Sequence, residues 1–325
     1  MYGFVSTARW ADVSTRVIRD ARFSGIVPSA LQRGRSRFMK RASWAASALL
    51  VFVNVCASAP EITPTDLPGA ESFVYRQDAE LALRLFVVKP PGWKAGDHRP
   101  AFMFFFGGGW TTGTPASALV WAAFAAEHGL IGIAPDCRTK GRHGTPPLAS
   151  VADGRAALRW VQDHSSQLGL DPARVVVGGV SAGGHVALWT AIPSTPPGSL
   201  VDESPLQPPC ALVLLSAVSD TSPETGYTPQ RFGAEARALS PFHQLAPHMP
   251  PVLAFHGDAD ALVPLRQAIA LRDKLRATGN RCELQIVPGG GHNFDRDLPG
   301  WDRRTREGVQ EFLIREGVMP PTEAR

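Results

Sequence analysis

The stretch Arg174-Val175-Val176-Val177-Gly178-Gly179-Val180-Ser181-Ala182-Gly183-Gly184-His185 decides how this chain is read. Val175–Val177 make a short strand apolar on both faces, which belongs inside a largely parallel sheet covered by helices. After Ser181 the text turns to Ala, Leu and Trp, a helical segment over about 182–192. Between the two stands Gly179-Val180-Ser181-Ala182-Gly183, a G-x-S-x-G pattern. A strand that passes at once into a helix holds its serine in a strained backbone, and the flanking glycines let both segments cross closely. The turn lifts the hydroxyl above the sheet and aims the new helix's N-terminus at it. A Gly-rich turn with an incidental serine is the plain alternative; a strand before and a helix after favour a nucleophile.

Outward from this turn the same alternation continues. Strand-length runs stand at Glu71–Arg76, Leu81–Lys89, Ala101–Phe106, Leu130–Ala134, Ala211–Ala217, Val252–Phe255 and Glu283–Val287. Helical patterns fill about 115–128, 150–168, 264–278 and 302–316. The expected fold class is α/β: a doubly wound, mostly parallel sheet of about eight strands flanked by helices, with active centres at the C-terminal strand ends. Residues 71–325 read as a single domain and 60–70 as a linker. Only about 219–250 could add a cap, and it would be short.

A nucleophilic serine needs a base, and the base an orienting carboxylate. His292 lies in Gly289-Gly290-Gly291-His292-Asn293-Phe294, directly after the strand ending at Val287. Asp260 lies in His256-Gly257-Asp258-Ala259-Asp260-Ala261-Leu262-Val263-Pro264, directly after the strand ending at Phe255. The order Ser181, Asp260, His292 is more specific than any one of the three. Asp258 could orient His292 instead, but Asp260 sits further into its loop. His185 and His256 read as hydrogen-bonded structural histidines, and Asp136 with Arg138 as a buried structural pair or turn support. Phe104-Phe105-Phe106-Gly107-Gly108-Gly109-Trp110 leaves its strand with three bare glycines, whose N–H groups can meet the N–H of Ala182 around a developing oxyanion. The donors expected there are Gly108, Gly109 and Ala182, with Trp110 as a substrate-binding side chain. No Gly-Lys-Ser/Thr follows, which argues against a phosphate loop.

These residues resemble the α/β-hydrolase superfamily over about 70–320, and within it secreted bacterial carboxylesterases of the acetyl-esterase and acetyl-xylan- or feruloyl-esterase-like kind. Arg142-His143-Gly144-Thr145-Pro146 adds to the likeness. The resemblance implies Ser181 as nucleophile, Asp260 as acid and His292 as base, with Gly108 or Gly109 and Ala182 as oxyanion donors. It departs from the family at Phe106, where many relatives carry histidine, and at Cys137, where tyrosine is frequent. The expected activity is hydrolysis of short-acyl esters, on small molecules or carbohydrate, through an acyl-enzyme and without metal or organic cofactor. A prolyl-oligopeptidase-like peptidase and a non-catalytic binding protein on the same fold are the rival readings. The first lacks room for its usual extra domain, and the second would have lost a nucleophile or base.

Composition agrees with a globular enzyme: 44% hydrophobic, 19% charged, and four cysteines, too few for a disulfide scaffold. The net charge of +4 is unevenly placed. Residues 1–59 carry nine basic and two acidic side chains, or +7, which leaves −3 for the body. Nucleic acid binding needs a basic face on the folded part, so such a partner is not expected. Met39-Lys40-Arg41, the apolar run Ala45–Val55 and Ala57-Ser58-Ala59 form a signal peptide over 39–59, with 1–38 an over-extended start. The expected location is secreted or periplasmic, with no stable membrane insertion after cleavage. Cys137, Cys210 and Cys282 then remain and read as buried small hydrophobes.

Overall fold

Runs apolar on both faces can satisfy their backbone and bury their side chains only in the middle of a covered sheet. The computed structural model, which describes residues 62–78, 81–197 and 206–321, places them there. Eight strands form one sheet: β1 (Glu71–Gln77), β2 (Ala82–Val88), β3 (Arg99–Phe105), β4 (Ile131–Pro135), β5 (Leu170–Val180), β6 (Ala211–Leu215), β7 (Val252–Gly257) and β8 (Cys282–Val287). Their spatial order is β1-β2-β4-β3-β5-β6-β7-β8. β2 runs antiparallel to β1 and β4, and every other pairing is parallel. Every residue of β4, β6 and β7 is buried, whereas β8, at the edge, buries only Cys282 and Val287.

The helices are α1 (Leu119–Glu127), α2 (Lys140–His143), α3 (Pro147–Asp163), α4 (Ser165–Leu168), α5 (Ala182–Ala191), α6 (Pro241–Gln244), α7 (Arg266–Ala277), α8 (Phe294–Asp297) and α9 (Trp301–Arg315). The helix expected over 150–168 starts earlier, with Pro147 at its first position, where a missing N–H costs nothing. It breaks at His164, whose ring bonds the Trp160 carbonyl and stacks on the Trp160 indole. β5 begins at Leu170, ahead of the valine run, because Leu170 pairs with Arg99 across a register shift.

The chain leaves β3 to one side for β4, then returns to β5 and proceeds to the other side. β3 and β5 therefore flank the point where strand order reverses, the place where ligands bind in open α/β sheets. Between β6 and β7 the cap segment carries only short turns at Pro229–Arg231 and Gly233–Glu235 and the single-turn α6. It is fastened to α7 by Gln267, which accepts from Ser219 and Asp220 N–H and donates to the Asp220 carbonyl.

The described residues fall in one compact unit. The expected signal peptide over 39–59 and the over-extended start over 1–38 lie outside the described residues. No described helix is long and apolar enough to cross a membrane. The expected linker is partly docked: Thr63 Oγ1 accepts from Arg142 at 3.2 Å.

Candidate active site

Four segments leaving the C-terminal ends of β3, β5, β7 and β8 converge at this switch point. Ser181 joins β5 to α5 with φ 56° and ψ −120°, a conformation unfavourable for a side chain and characteristic of a sharp strand-to-helix turn. The turn is held from both sides. Ser181 N–H donates to Leu215 O at 2.9 Å, and its carbonyl accepts from Gly184, His185 and Val218 N–H. A Cβ on Gly179 would overlap the Gly183 backbone, and one on Gly183 the carbonyls of Phe105 and Phe106. Both glycines are required by close approach.

His292 Nε2 lies 2.9 Å from Ser181 Oγ, and its Nδ1 lies 2.8 Å from Asp260 Oδ2. With Nδ1–H donating to the carboxylate, Nε2 is the acceptor for the serine proton. Asp260 Oδ1 also accepts from Leu262 and Val263 N–H at 2.9 Å each. Burial alone would raise this carboxyl; hydrogen bonds from His256, His292 and Val263 outweigh it and hold the group well below the usual carboxylate range. It therefore stays charged beneath the imidazole. Asp258 is placed elsewhere, its carboxylate accepting from Gly289 N–H at 2.7 Å to tie two loops together.

Gly108 and Gly109 take φ of 119° and 61°. Their carbonyls are engaged: Gly108 O accepts from Thr111 and Thr112 N–H, and Gly109 O from Thr111 Oγ1 and Arg231. Among the described residues, the N–H groups of Gly108, Gly109 and Ala182 have no internal acceptor. Ala182 is the first residue of α5, so its N–H also carries the helix-terminal partial charge. Sequence reasoning undervalued Gly107. A Cβ there would stand 3.3 Å from the Ser181 Cβ, so its bareness lets the loop touch the serine turn.

Packing refines two of the readings. Trp110 is 4% exposed and packs edge-on against His185 and Phe232, so it supports the loop from beneath; it does not line the cleft over Ser181 but borders the adjoining groove with Lys140 and Arg231. The side chains facing that cleft include Tyr227 and Arg231 from the cap, Leu262 and Asn293 from strand-end loops, and Arg296 from α8. Asp136 and Arg138 do not pair with each other. Arg142 holds Asp136 at 2.6 Å and Arg138 holds Asp153 at 2.7 Å, because α2 and α3 bring closer partners.

The structural histidines are where expected. His185 Nε2 bonds Leu239 O at 2.9 Å, and His256 Nε2 bonds Val263 O at 2.7 Å. Phe106 is buried, with the Arg142 guanidinium 5.8 Å from its ring. Cys137, Cys210 and Cys282 are free thiols. Among the described residues no group of three metal-ligating side chains comes together.

An alcohol, an imidazole and a charged carboxylate in hydrogen-bonded series beside unpaired amide donors can generate a nucleophile and receive an oxyanion. The known proteins that this chain resembles agree with that chemistry. An esterase from Thermogutta terrifontis, solved with propionate bound, is 35% identical, covers 78% of this chain and 97% of its own, and superposes with a TM-score of 0.73. The protein named "Probable carboxylic ester hydrolase LipM" of Mycobacterium tuberculosis is 30% identical over 231 residues, which are 64% of this chain and 52% of that protein. The ethyl acetate hydrolase of Pseudomonas putida is 27% identical over 249 residues, 69% of this chain and 74% of its own. The chain spans about half the length of the mycobacterial relatives LipM and LipC. A family model described as alpha/beta hydrolase fold matches residues 102–296, and the chain belongs to that family.

Proposed function

We propose that this protein is a serine hydrolase of carboxylic esters, acting on short-acyl esters of small or carbohydrate alcohols through an acyl-enzyme. The observation that carries the reading is the relay from Ser181 Oγ through His292 to Asp260, with links of 2.9 and 2.8 Å. His292 takes the serine proton as Ser181 Oγ attacks the ester carbonyl. Gly108, Gly109 and Ala182 N–H receive the oxyanion, each donor being worth about 10²–10³ in rate. The bond to the alcohol breaks, His292 returns the proton to the leaving oxygen, and water repeats the cycle on the acyl group. Asp260 fixes the imidazole tautomer and stabilises its charged form. The short-acyl preference is supported by the relatives, one solved with propionate and another named for ethyl acetate.

Ser181→Ala is expected to lower hydrolysis of p-nitrophenyl acetate by about 10⁴-fold or more, with an unchanged circular dichroism spectrum. A fluorophosphonate probe is expected to label the native protein at Ser181 and leave the variant unlabelled. Turnover retained by the variant overturns the assignment.

A further inference from the structure

Among the described residues, the cleft over Ser181 is lined by Arg231 and Arg296 but by no carboxylate side chain. A second groove continues it around the corner formed by Gly109 and Arg231, which line both. That groove adds Lys140 and again no acid. Such a concentration of cations is unexpected on a body whose charge beyond residue 59 sums to −3.

The arginines are not used up by ion pairs. Among the described residues neither Arg231 nor Arg296 forms a salt bridge, although other arginines do so in many places. Arg231 gives one N–H to Gly109 O at 2.8 Å, and its exposed guanidinium keeps further donors of its five for another partner. Arg296 has the neighbouring Asp295 as a partial counter-charge, its carboxyl raised by burial. Arg231, joined by Lys140 on the groove side, is therefore the stronger anion receptor. A guanidinium matches a carboxylate with two parallel N–H bonds, at about twice the strength of neutral ones.

We propose that the site selects esters carrying a carboxylate a few atoms from the scissile carbonyl, with Arg231 as the specificity-determining residue. This rests on the hydrolase reading above and names the substrate class within it. The carboxylate can belong to the acyl or the alcohol half, since Arg231 borders both the cleft and its continuation.

Two matched pairs separate these sources. Mono-4-nitrophenyl glutarate against 4-nitrophenyl valerate probes the acyl half, and 4-acetoxybenzoate against 4-acetoxybenzamide the alcohol half. In at least one pair the charged ester is expected to show about tenfold higher kcat/KM at low ionic strength. Salt near 0.5 M is expected to erode that ratio several-fold, because the receptor is solvent-exposed. Arg231→Gln should bring the ratio close to one, and Arg231→Lys, which keeps the charge but not the paired N–H fork, should keep only part of it. A residue that only braced the Gly109 loop would slow both members of a pair alike and leave their ratio intact. Equal rates within both pairs, or a ratio unmoved by Arg231→Gln, overturn the proposal while neutral esters are still cleaved. If no ester of either charge is cleaved, the hydrolase reading falls and this proposal falls with it.

Discussion

His185 and His292 both stand within reach of the serine turn, and their solvent surroundings separate their roles. His292 projects from a Gly-rich loop into the cleft, whereas His185 lies fully buried on α5. Burial pushes the His185 imidazole down to about 3, and the bond to Leu239 O offsets only part of that. The sign of the consequence is fixed by linkage. The unfolded chain protonates this ring near its ordinary pKa of about 6.5, while the folded chain resists until about 3. The contribution to stability is complete above the unfolded value and drains away as pH falls through that window, by up to about 1.4 kcal/mol per pH unit. His185→Gln is expected to flatten the decline of unfolding free energy between pH 6.5 and 4.5, as read by urea titration. Equal slopes in both proteins would show that acid lability arises elsewhere. The sequence separates the two histidines for a physical reason: a residue one turn into a core helix is committed to packing, while one after three glycines is not.

Among the elements, the strands were the most legible, since Ala101–Phe105 of β3, β4, β6 and Val252–Phe255 of β7 are unbroken apolar runs and such runs have few places to go. The opening of β5 was not, because Asp171-Pro172-Ala173-Arg174 carries no strand pattern and lies in the register shift between Leu170, paired with Arg99, and Val175, paired with Ala101. The single-turn helices α2, α6 and α8 also escaped, being too short to display a period. The tightest constraint falls on the junction of β5 and α5. Gly183 has no room for a methyl group because the backbone leaving β3 passes against it, and two carbonyls cannot move without shifting the Gly107–Gly109 loop. Gly183→Ala is therefore expected to lower the melting temperature and to cut kcat/KM by about 10²-fold or more, the scale of an ångström-sized misplacement. Gly96→Ala is the control, since nothing lies within 4 Å of a Cβ at that position. Equal activity and melting temperature for the Gly183 variant would mean that the elbow tolerates displacement.

For the whole molecule, the serine, aspartate, histidine and glycine loop were readable because a parallel sheet gathers its C-terminal strand ends, so loop order along the chain becomes proximity. The remaining cleft residues were not readable. Tyr227 and Arg231 come from an irregular cap segment whose path is set by Gln267 and by Phe232 packing on Trp110, contacts without a sequence period. That cap bears on acyl length. The cleft has a volume of about 370 Å³, and its lining mixes Arg231, Arg296, Asn293 and Ser117 with the apolar Val180 and Leu262. A long acyl chain gains about 0.8 kcal/mol for each methylene buried in an apolar channel, and a lining of this polarity withholds most of that gain while costing the desolvation of two guanidinium groups. Acetyl and butyryl 4-nitrophenyl esters are expected to exceed the lauroyl ester in kcat/KM by about tenfold or more, measured below the aggregation limit of the lauroyl compound. A lauroyl preference would require an apolar channel that the short cap does not build, and would transfer the substrate reading from small esters to lipids.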